Sequence, residues 1–306
     1  MKPDLRVEIA GVSFKNPVLT ASGTFGYGEE FAALIDLDAL GGIVTKSITL
    51  HERPGHPPPR TCETAAGMLN AIGLANVGIE RFIDEKIPFL KKLNTVIIVN
   101  VAGSTIGEYV EVCRRLEQAG HVDMIELNVS CPNVDQGGME FGTDETSLIR
   151  VMTAVREATT RPIIVKLSPN VTSIAAMACA AQQGGASAVS LINTLVGMAV
   201  NVNDWRPSLS NTTGGLSGPA IKPVAVAMVY KAAKAVDIPI IGIGGIATAA
   251  DAVEFHLVGA RAVQIGTANF IDPNAGMKII AGLRQYLAER RLGSIHDIIG
   301  KVKTSS

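Results

Sequence analysis

Short aliphatic and β-branched runs recur along the chain, each followed by a polar or glycine-containing turn and a segment of helix length. The runs are Pro17 to Gly23, Gly42 to Ser47, Val96 to Ala102, Met124 to Ser130, Ile163 to Ser168, Ala188 to Asn193, Ile238 to Gly245 and Ala262 to Thr267. Their near-continuous apolar character is that of parallel strands buried on both faces. Strands that alternate with helices in this way predict an α/β protein, a closed (β/α)8 TIM barrel. An internal echo supports this, because Gly120, Gly185 and Gly259 each stand shortly before a strand, as at a helix-to-strand joint.

Two stretches break the rhythm: the proline-rich Arg53 to Arg60 and the long segment from Val196 to Pro219. Both read as loops or small excursions above the carboxyl-end face of the barrel. No Gly/Ser-rich linker, low-complexity tract or shift of composition divides the chain, so residues 1–306 are expected to form one domain.

Composition narrows the partners. Hydrophobic residues make up 47% and charged residues 18%, which suits a buried parallel sheet and argues against disorder. Lys plus Arg number 27 against 28 Asp plus Glu, with no basic run to neutralise phosphates, so a nucleic-acid partner is not expected. The N-terminus reaches no apolar signal region and no stretch supplies the roughly 18 apolar residues of a membrane helix, so a soluble, unprocessed protein is expected. Cys62, Cys113, Cys131 and Cys179 are scattered, without the clustering that closes round zinc or an iron–sulfur centre. No metal site is expected, and the location is expected to be the reducing cytoplasm.

Nearly every predicted strand ends in a polar group. In chain order these are Ser22, Lys46 with Ser47, Asn100, Asn128 with Ser130 and Cys131, Lys166 with Ser168, Asn193 with Thr194, then Gly244 with Gly245 and Gly266 with Thr267. Any one of the Asn, Ser or Thr residues reads equally as a turn former, but a barrel collects all of them at one mouth. Lys46 and Lys166 follow apolar runs, where a desolvated ammonium needs an anionic or electron-rich partner. The glycines ending the last two strands form the usual phosphate cup of a barrel. The Gly242 to Ala247 run also fits G-x-G-x-x-A, but no acidic residue ends the next strand at Gln264-Ile265-Gly266, against a dinucleotide fold. A mononucleotide cofactor or a phosphorylated substrate is the expectation.

Cys131 differs from the other thiols. It lies one step past a strand end, in Asn128-Val129-Ser130-Cys131-Pro132-Asn133, before a proline that fixes the chain direction. A thiol of ordinary pKa about 8.5 can act as a base or as a nucleophile near neutral pH. The glycine-flanked segment Gly137 to Asp144 after it is expected to act as a lid.

Over essentially its whole length the chain resembles the dihydroorotate dehydrogenases, and within them the NAD-linked class 1B catalytic subunits. The motifs that carry the resemblance are Ala21-Ser22-Gly23, Thr45-Lys46-Ser47, Asn70-Ala71-Ile72-Gly73-Leu74, Asn128 to Asn133, Val165-Lys166-Leu167-Ser168-Pro169-Asn170, Gly214-Gly215-Leu216-Ser217-Gly218-Pro219 and Gly266-Thr267-Ala268-Asn269-Phe270. The resemblance implies that FMN is surrounded by Ser22, Lys46, Ser47, Asn100, Asn128 and Lys166, and further by Ile192, Gly218, Gly244, Gly245, Gly266 and Thr267. It implies that dihydroorotate is held by Lys46, by Asn70, Ala71, Ile72, Gly73 and Leu74, and by Asn128, Asn193 and Thr194. Asn70 lies in none of the runs above and rests on the resemblance alone.

In family terms Cys131 removes the C5 proton of (S)-dihydroorotate while a hydride leaves C6 for the flavin N5. The product is orotate, in de novo pyrimidine biosynthesis, and a cationic lysine such as Lys166 stabilises the anionic reduced flavin. Cysteine as the base resembles class 1, and the Gly214 to Pro219 and Gly266 to Phe270 segments look like 1B rather than the fumarate-using 1A. Class 1B implies a partner subunit bearing FAD and a 2Fe–2S cluster that passes electrons to NAD, in a heterotetramer of two catalytic and two electron-transfer subunits. The competing readings are a class 1A-type homodimer using fumarate, a Schiff-base barrel lyase using Lys166, and a non-catalytic flavin-binding scaffold.

Overall fold

The structure is a computed structural model that describes residues 2–130, 132–133 and 139–304. Cys131 and residues 134–138, which hold the expected base and the first two residues of the expected lid, lie outside the described residues.

Eight parallel strands close into a barrel in sequence order: β1 (Val18–Thr20), β2 (Gly42–Val44), β3 (Val96–Val101), β4 (Met124–Asn128), β5 (Ile163–Leu167), β6 (Ala188–Leu191), β7 (Ile240–Ile243) and β8 (Ala262–Ile265). Every strand is shorter than its apolar run predicted. Ser22, Lys46, Ser47, Asn193, Gly244 with Gly245 and Gly266 with Thr267 fall just beyond the ladders, whereas Asn100, Asn128 and Lys166 are strand residues. Strand β7 starts at Ile240 rather than Ile238, because Pro239 has no N–H to give the ladder.

Six longer helices pack outside the barrel: α1 (Ile106–Ala119), α2 (Glu145–Ala158), α3 (Ile174–Gln183), α4 (Lys222–Ala233), α5 (Ala249–Leu257) and α6 (Ala275–Glu289). Their starts are legible, since Thr105, Asp144, Ser173 and Thr248 each accept a hydrogen bond from the backbone N–H three residues on. The glycines of the internal echo terminate α1, α3 and α5 with positive φ: Gly120 at 67°, Gly185 at 91° and Gly259 at 118°. After β1 the expected helix is missing. The segment carries Gly23, Gly26 and Gly28 at positive φ and forms only the short 3-10 turns Glu29–Phe31 and Leu37–Ala39.

Both irregular segments rise above the barrel: Arg53 to Arg60 holds no strand and leads into two, whereas the Val196 to Pro219 segment is not merely a loop. The strands Thr61–Thr64, Gly67–Asn70, Leu195–Gly197 and Gly214–Ser217 pair into an antiparallel sheet, in which Gly214–Ser217 lies between Leu195–Gly197 and Gly67–Asn70. Leu69, Ala71 and Leu209 form its own small core. At the opposite end, a hairpin of Val7–Ile9 and Val12–Phe14 turns at Ala10 and Gly11, with Ile9 and Phe14 buried. Arg261, just before β8, reaches the Glu8 carbonyl, which places this hairpin at the amino-end face.

Candidate active site

Strand period sets the layers of the barrel interior. Glu126 and Asn128 lie two apart on β4 and so share a face; Lys166 pairs in register with Asn128 on one side and Ser190 on the other. A barrel interior is ordinarily filled by branched apolar residues. Here one layer below the mouth is polar instead. Glu126 is fully buried and accepts hydrogen bonds from Asn100 Nδ2 at 2.7 Å, Ser190 Oγ at 2.8 Å and Gln264 Nε2 at 2.6 Å.

Lys166 stands on the edge of this layer. It is only 5% exposed, its Nζ donates to Ser22 Oγ at 2.9 Å, and Glu126 Oε1 is 4.0 Å away. Burial pushes its ammonium below the ordinary lysine range, and the Glu126 carboxylate opposes that shift. Lys46, at the end of β2, is also held below its ordinary range by burial, with Glu30 acting against the shift and Arg60 with it.

Above the polar layer opens a cavity of about 610 Å³, within the range of small-molecule sites. One wall is glycine. Gly244 and Gly245 line it with φ of 125° and 72°, and a Cβ on Gly245 would meet the Gly218 carbonyl oxygen at 2.8 Å. Only glycine fits that position. Thr267 joins this wall to the upper sheet, its Oγ1 2.8 Å from Ser217 Oγ.

The opposite wall is amide-rich. Asn193 Nδ2 donates to Asn128 Oδ1 at 3.2 Å and to Ser130 Oγ at 3.0 Å, while the Tyr109 hydroxyl donates to the Asn128 carbonyl at 2.6 Å. The upper sheet delivers the segment from Asn70 to Leu74, with Asn70 Nδ2 donating to the Gly215 carbonyl at 3.2 Å. Gly73 and Leu74 both take positive φ, and the buried Asn76 holds the turn by donating to the Leu74 carbonyl at 2.7 Å.

The residues named from the sequence as flavin or substrate contacts therefore converge. Apart from Cys131, every one lines this single cavity except Asn100. Asn100 is fully buried beneath it and is tied to the mouth through Ser47, whose Oγ donates to Asn100 Oδ1 at 2.6 Å. Glu126, Ser190, Gln264 and Asn76 were not singled out from the sequence. The signal for the first three was a lone polar residue inside an apolar strand run; for Asn76, in a loop, there was none.

A bonded ammonium, amide donors and a glycine wall suit an anionic, planar, polar-edged ligand. The family model for dihydroorotate dehydrogenase matches residues 4–287. The chain is 55% identical over 303 residues to a protein of Geotalea uraniireducens named dihydroorotate dehydrogenase B (NAD(+)), catalytic subunit, covering 99% of each. It is equally 55% identical to proteins of the same name from Geobacter sulfurreducens and Pelobacter propionicus, over 302 and 303 residues. By this likeness along its whole length, the chain belongs to the dihydroorotate dehydrogenase family.

Proposed function

We propose that the chain is the catalytic subunit of an NAD-linked dihydroorotate dehydrogenase and oxidises (S)-dihydroorotate to orotate in pyrimidine biosynthesis. The observation that carries this reading is the single cavity in which a glycine wall, two lysines and the Asn128–Asn193 amide pair meet, in a chain 55% identical to such subunits from end to end.

The residues present fit FMN. At Gly218, Gly244 and Gly245 a Cβ would meet neighbouring protein atoms at 2.7–2.8 Å, so the chain packs closely there, and with Gly266 and Thr267 these residues line the part of the cavity that suits a phosphate. Ser22, Ser47, Asn100 and Lys166 offer polar groups from the floor, and Ile192 an apolar contact. When bound, FMN supplies the acceptor for the hydride leaving C6 of the substrate.

The chain's own residues do the rest. Asn128, Asn193 and Thr194 present amide and hydroxyl groups to the imide and carboxylate edges of the ring, with the Asn70 to Leu74 turn closing over it. Lys46 adds a positive charge for the carboxylate. Cys131, three residues beyond the end of β4 in the sequence, takes the C5 proton as a general base. The barrel works as one domain in the cytoplasm. Its electrons pass through a partner subunit bearing FAD and a 2Fe–2S cluster to NAD, in a complex of two catalytic and two electron-transfer subunits. Among the described residues, no helix is long and apolar enough to cross a membrane.

The test is anaerobic mixing of the purified chain with dihydroorotate. The expected result is a yellow protein whose flavin absorption bleaches, while Cys131→Ser stays yellow and bleaches far more slowly at neutral pH, serine being a poorer base there. A colourless preparation that borohydride traps with substrate on Lys166 would overturn the reading in favour of a Schiff-base lyase. Efficient turnover with fumarate by the isolated chain would overturn the NAD-linked part.

A further inference from the structure

The mouth chemistry described so far leaves one buried charge without a task. Glu126 lies below the cavity rather than in its wall, is 0% exposed, and takes three hydrogen bonds from neutral groups on three other strands. A buried carboxylate is costly unless hydrogen-bonded and paired, and an apolar residue would fill this layer without that cost. Its one ionic neighbour among the described residues is Lys166, with Nζ 4.0 Å from Oε1.

We propose that Glu126 is a positioning residue that holds Lys166 as an ammonium, at a fixed place under the cavity, so that the charge faces whatever anionic ligand edge rests on Ser22 and Lys166. This rests on the reading of the cavity as a flavin site.

The geometry supports it in three ways. Glu126 is itself immobilised: Asn100 holds Oε1, while Ser190 and Gln264 hold Oε2. The oxygen nearer Lys166 is the one bonded to Asn100, which Ser47 in turn fixes at 2.6 Å, so the counter-charge is anchored from β2 through β4. Finally, the groups facing Lys166 from its neighbours are otherwise neutral. Asn128 on β4 and Ser190 on β6 pair with it in register, and Ser22 Oγ accepts a hydrogen bond from its Nζ. The second ammonium of the cavity, Lys46, has Glu30 and Arg60 as its charged neighbours. Removing the Glu126 charge therefore leaves Lys166 desolvated with no anion to oppose deprotonation.

Glu126→Gln is a mild change of shape. The Oε1 acceptor stays for Asn100, and the new amide has an acceptor available because Gln264 Oε1 has no hydrogen-bond partner among the described residues and its amide can turn over. The first measurement uses the chain without flavin: urea unfolding of wild type, Glu126→Gln, Lys166→Met and the double variant. Glu126→Gln is expected to lower the midpoint in the wild-type background and clearly less in the Lys166→Met background. Equal losses in both backgrounds overturn the proposal. If Glu126→Gln alone does not fold, a folded double variant is the expected result and an unfolded one overturns it.

The second measurement is the pH dependence of the reduction potential of bound FMN. In wild type, Lys166 is an ammonium in both oxidation states, and the slope is that of one proton taken up per two electrons. In Glu126→Gln, Lys166 is neutral before reduction and gains a proton with it, so the slope doubles; an unchanged slope overturns the proposal. Failure of the wild-type chain to bind FMN overturns the flavin reading instead, and the unfolding cycle still decides the Glu126–Lys166 coupling.

Discussion

The Asn193 side chain ties β6 to β4 over the top of β5, its Nδ2 lying 3.2 Å from Asn128 Oδ1 and 3.0 Å from Ser130 Oγ. Asn128 is held from two further sides, since its Oδ1 also accepts from the Ser130 N–H and its main-chain carbonyl accepts from the Tyr109 hydroxyl on α1. The amide pair is thus set before any ligand arrives.

Asn193→Ala removes both bonds and frees the Asn128 amide to rotate. Each lost bond is worth about 1 kcal/mol, so KM for dihydroorotate is expected to rise roughly tenfold or more while FMN stays bound. Steady-state kinetics on the yellow variant checks this. A flavin-free variant with unchanged KM after reconstitution would show that Asn193 serves the cofactor instead.

Two glycines of the glycine wall separate folding from binding. Alanine at Gly245 needs a φ of 72° and puts Cβ 2.8 Å from both the Gly218 carbonyl oxygen and Lys222 Cβ; the backbone conformation alone costs about 1–2 kcal/mol. Alanine at Gly266 meets nothing nearer than Ala21 Cβ at 3.6 Å, an ordinary contact, at a position that lines the cavity. Gly245→Ala is expected to lower both Tm and FMN content, Gly266→Ala to lower FMN content with Tm of the flavin-free chain unchanged. Melting curves without flavin and the flavin-to-protein ratio after purification read the two effects apart.

How much of this was legible in the sequence follows from where each signal lives. The barrel was readable because runs such as Ile163-Ile164-Val165 are buried on both faces, which forces an unbroken apolar stretch. The mouth was readable because Ser22, Lys46 and Asn193 interrupt those runs at their ends. Strand lengths were overestimated for the same reason: the polar side chains that announce the mouth stand where the chain has left the ladder. The polar layer around Glu126 escaped notice because its members come from β3, β4, β6 and β8, and only barrel closure brings them together. The upper sheet escaped because Gly67–Asn70 and Gly214–Ser217 are short, glycine-rich and pair across a long sequence separation, with no periodicity of their own.

Asp251 links the glycine wall to helix α5. Its carboxylate accepts from the Ala247 and Thr248 N–H groups at 3.0 and 2.8 Å, and Lys222 Nζ lies 2.7 Å away. The lysine and these N–H bonds hold the carboxyl below its ordinary range, against the opposing effect of burial. Because the folded pKa is depressed, this stability is present above the unfolded value near 3.8 and is lost as pH falls through the folded pKa. Asp251→Ala removes both cap and ion pair and is expected to cost about 1–2 kcal/mol at neutral pH, read by urea unfolding. A variant as stable as wild type would mean that the capping box and Lys222 pair contribute nothing net.

His256 sets a second and higher pH limit on the fold. The ring is wholly buried in α5, Nδ1 donates to the Ala260 carbonyl at 2.8 Å, and Nε2 has no hydrogen-bond partner among the described residues. Burial holds its pKa down at about 4, with the Ala260 hydrogen bond acting against that shift and His296 adding to it. The unfolded chain titrates this group near 6.5, so below that pH the unfolded state binds the proton first. Stability therefore falls as pH drops from about 6.5 to about 4 and levels off beneath, a loss on the order of 3 kcal/mol. Replacing the ring with the shorter amide in His256→Asn leaves a donor for the Ala260 carbonyl and removes the titrating group. The variant is expected to be less stable than wild type at neutral pH, because of the cavity it leaves, yet to lose less on acidification. The urea midpoints of the two chains should converge between pH 7 and pH 4; if the curves run parallel across that range, His256 is not the group that makes the barrel acid-sensitive there.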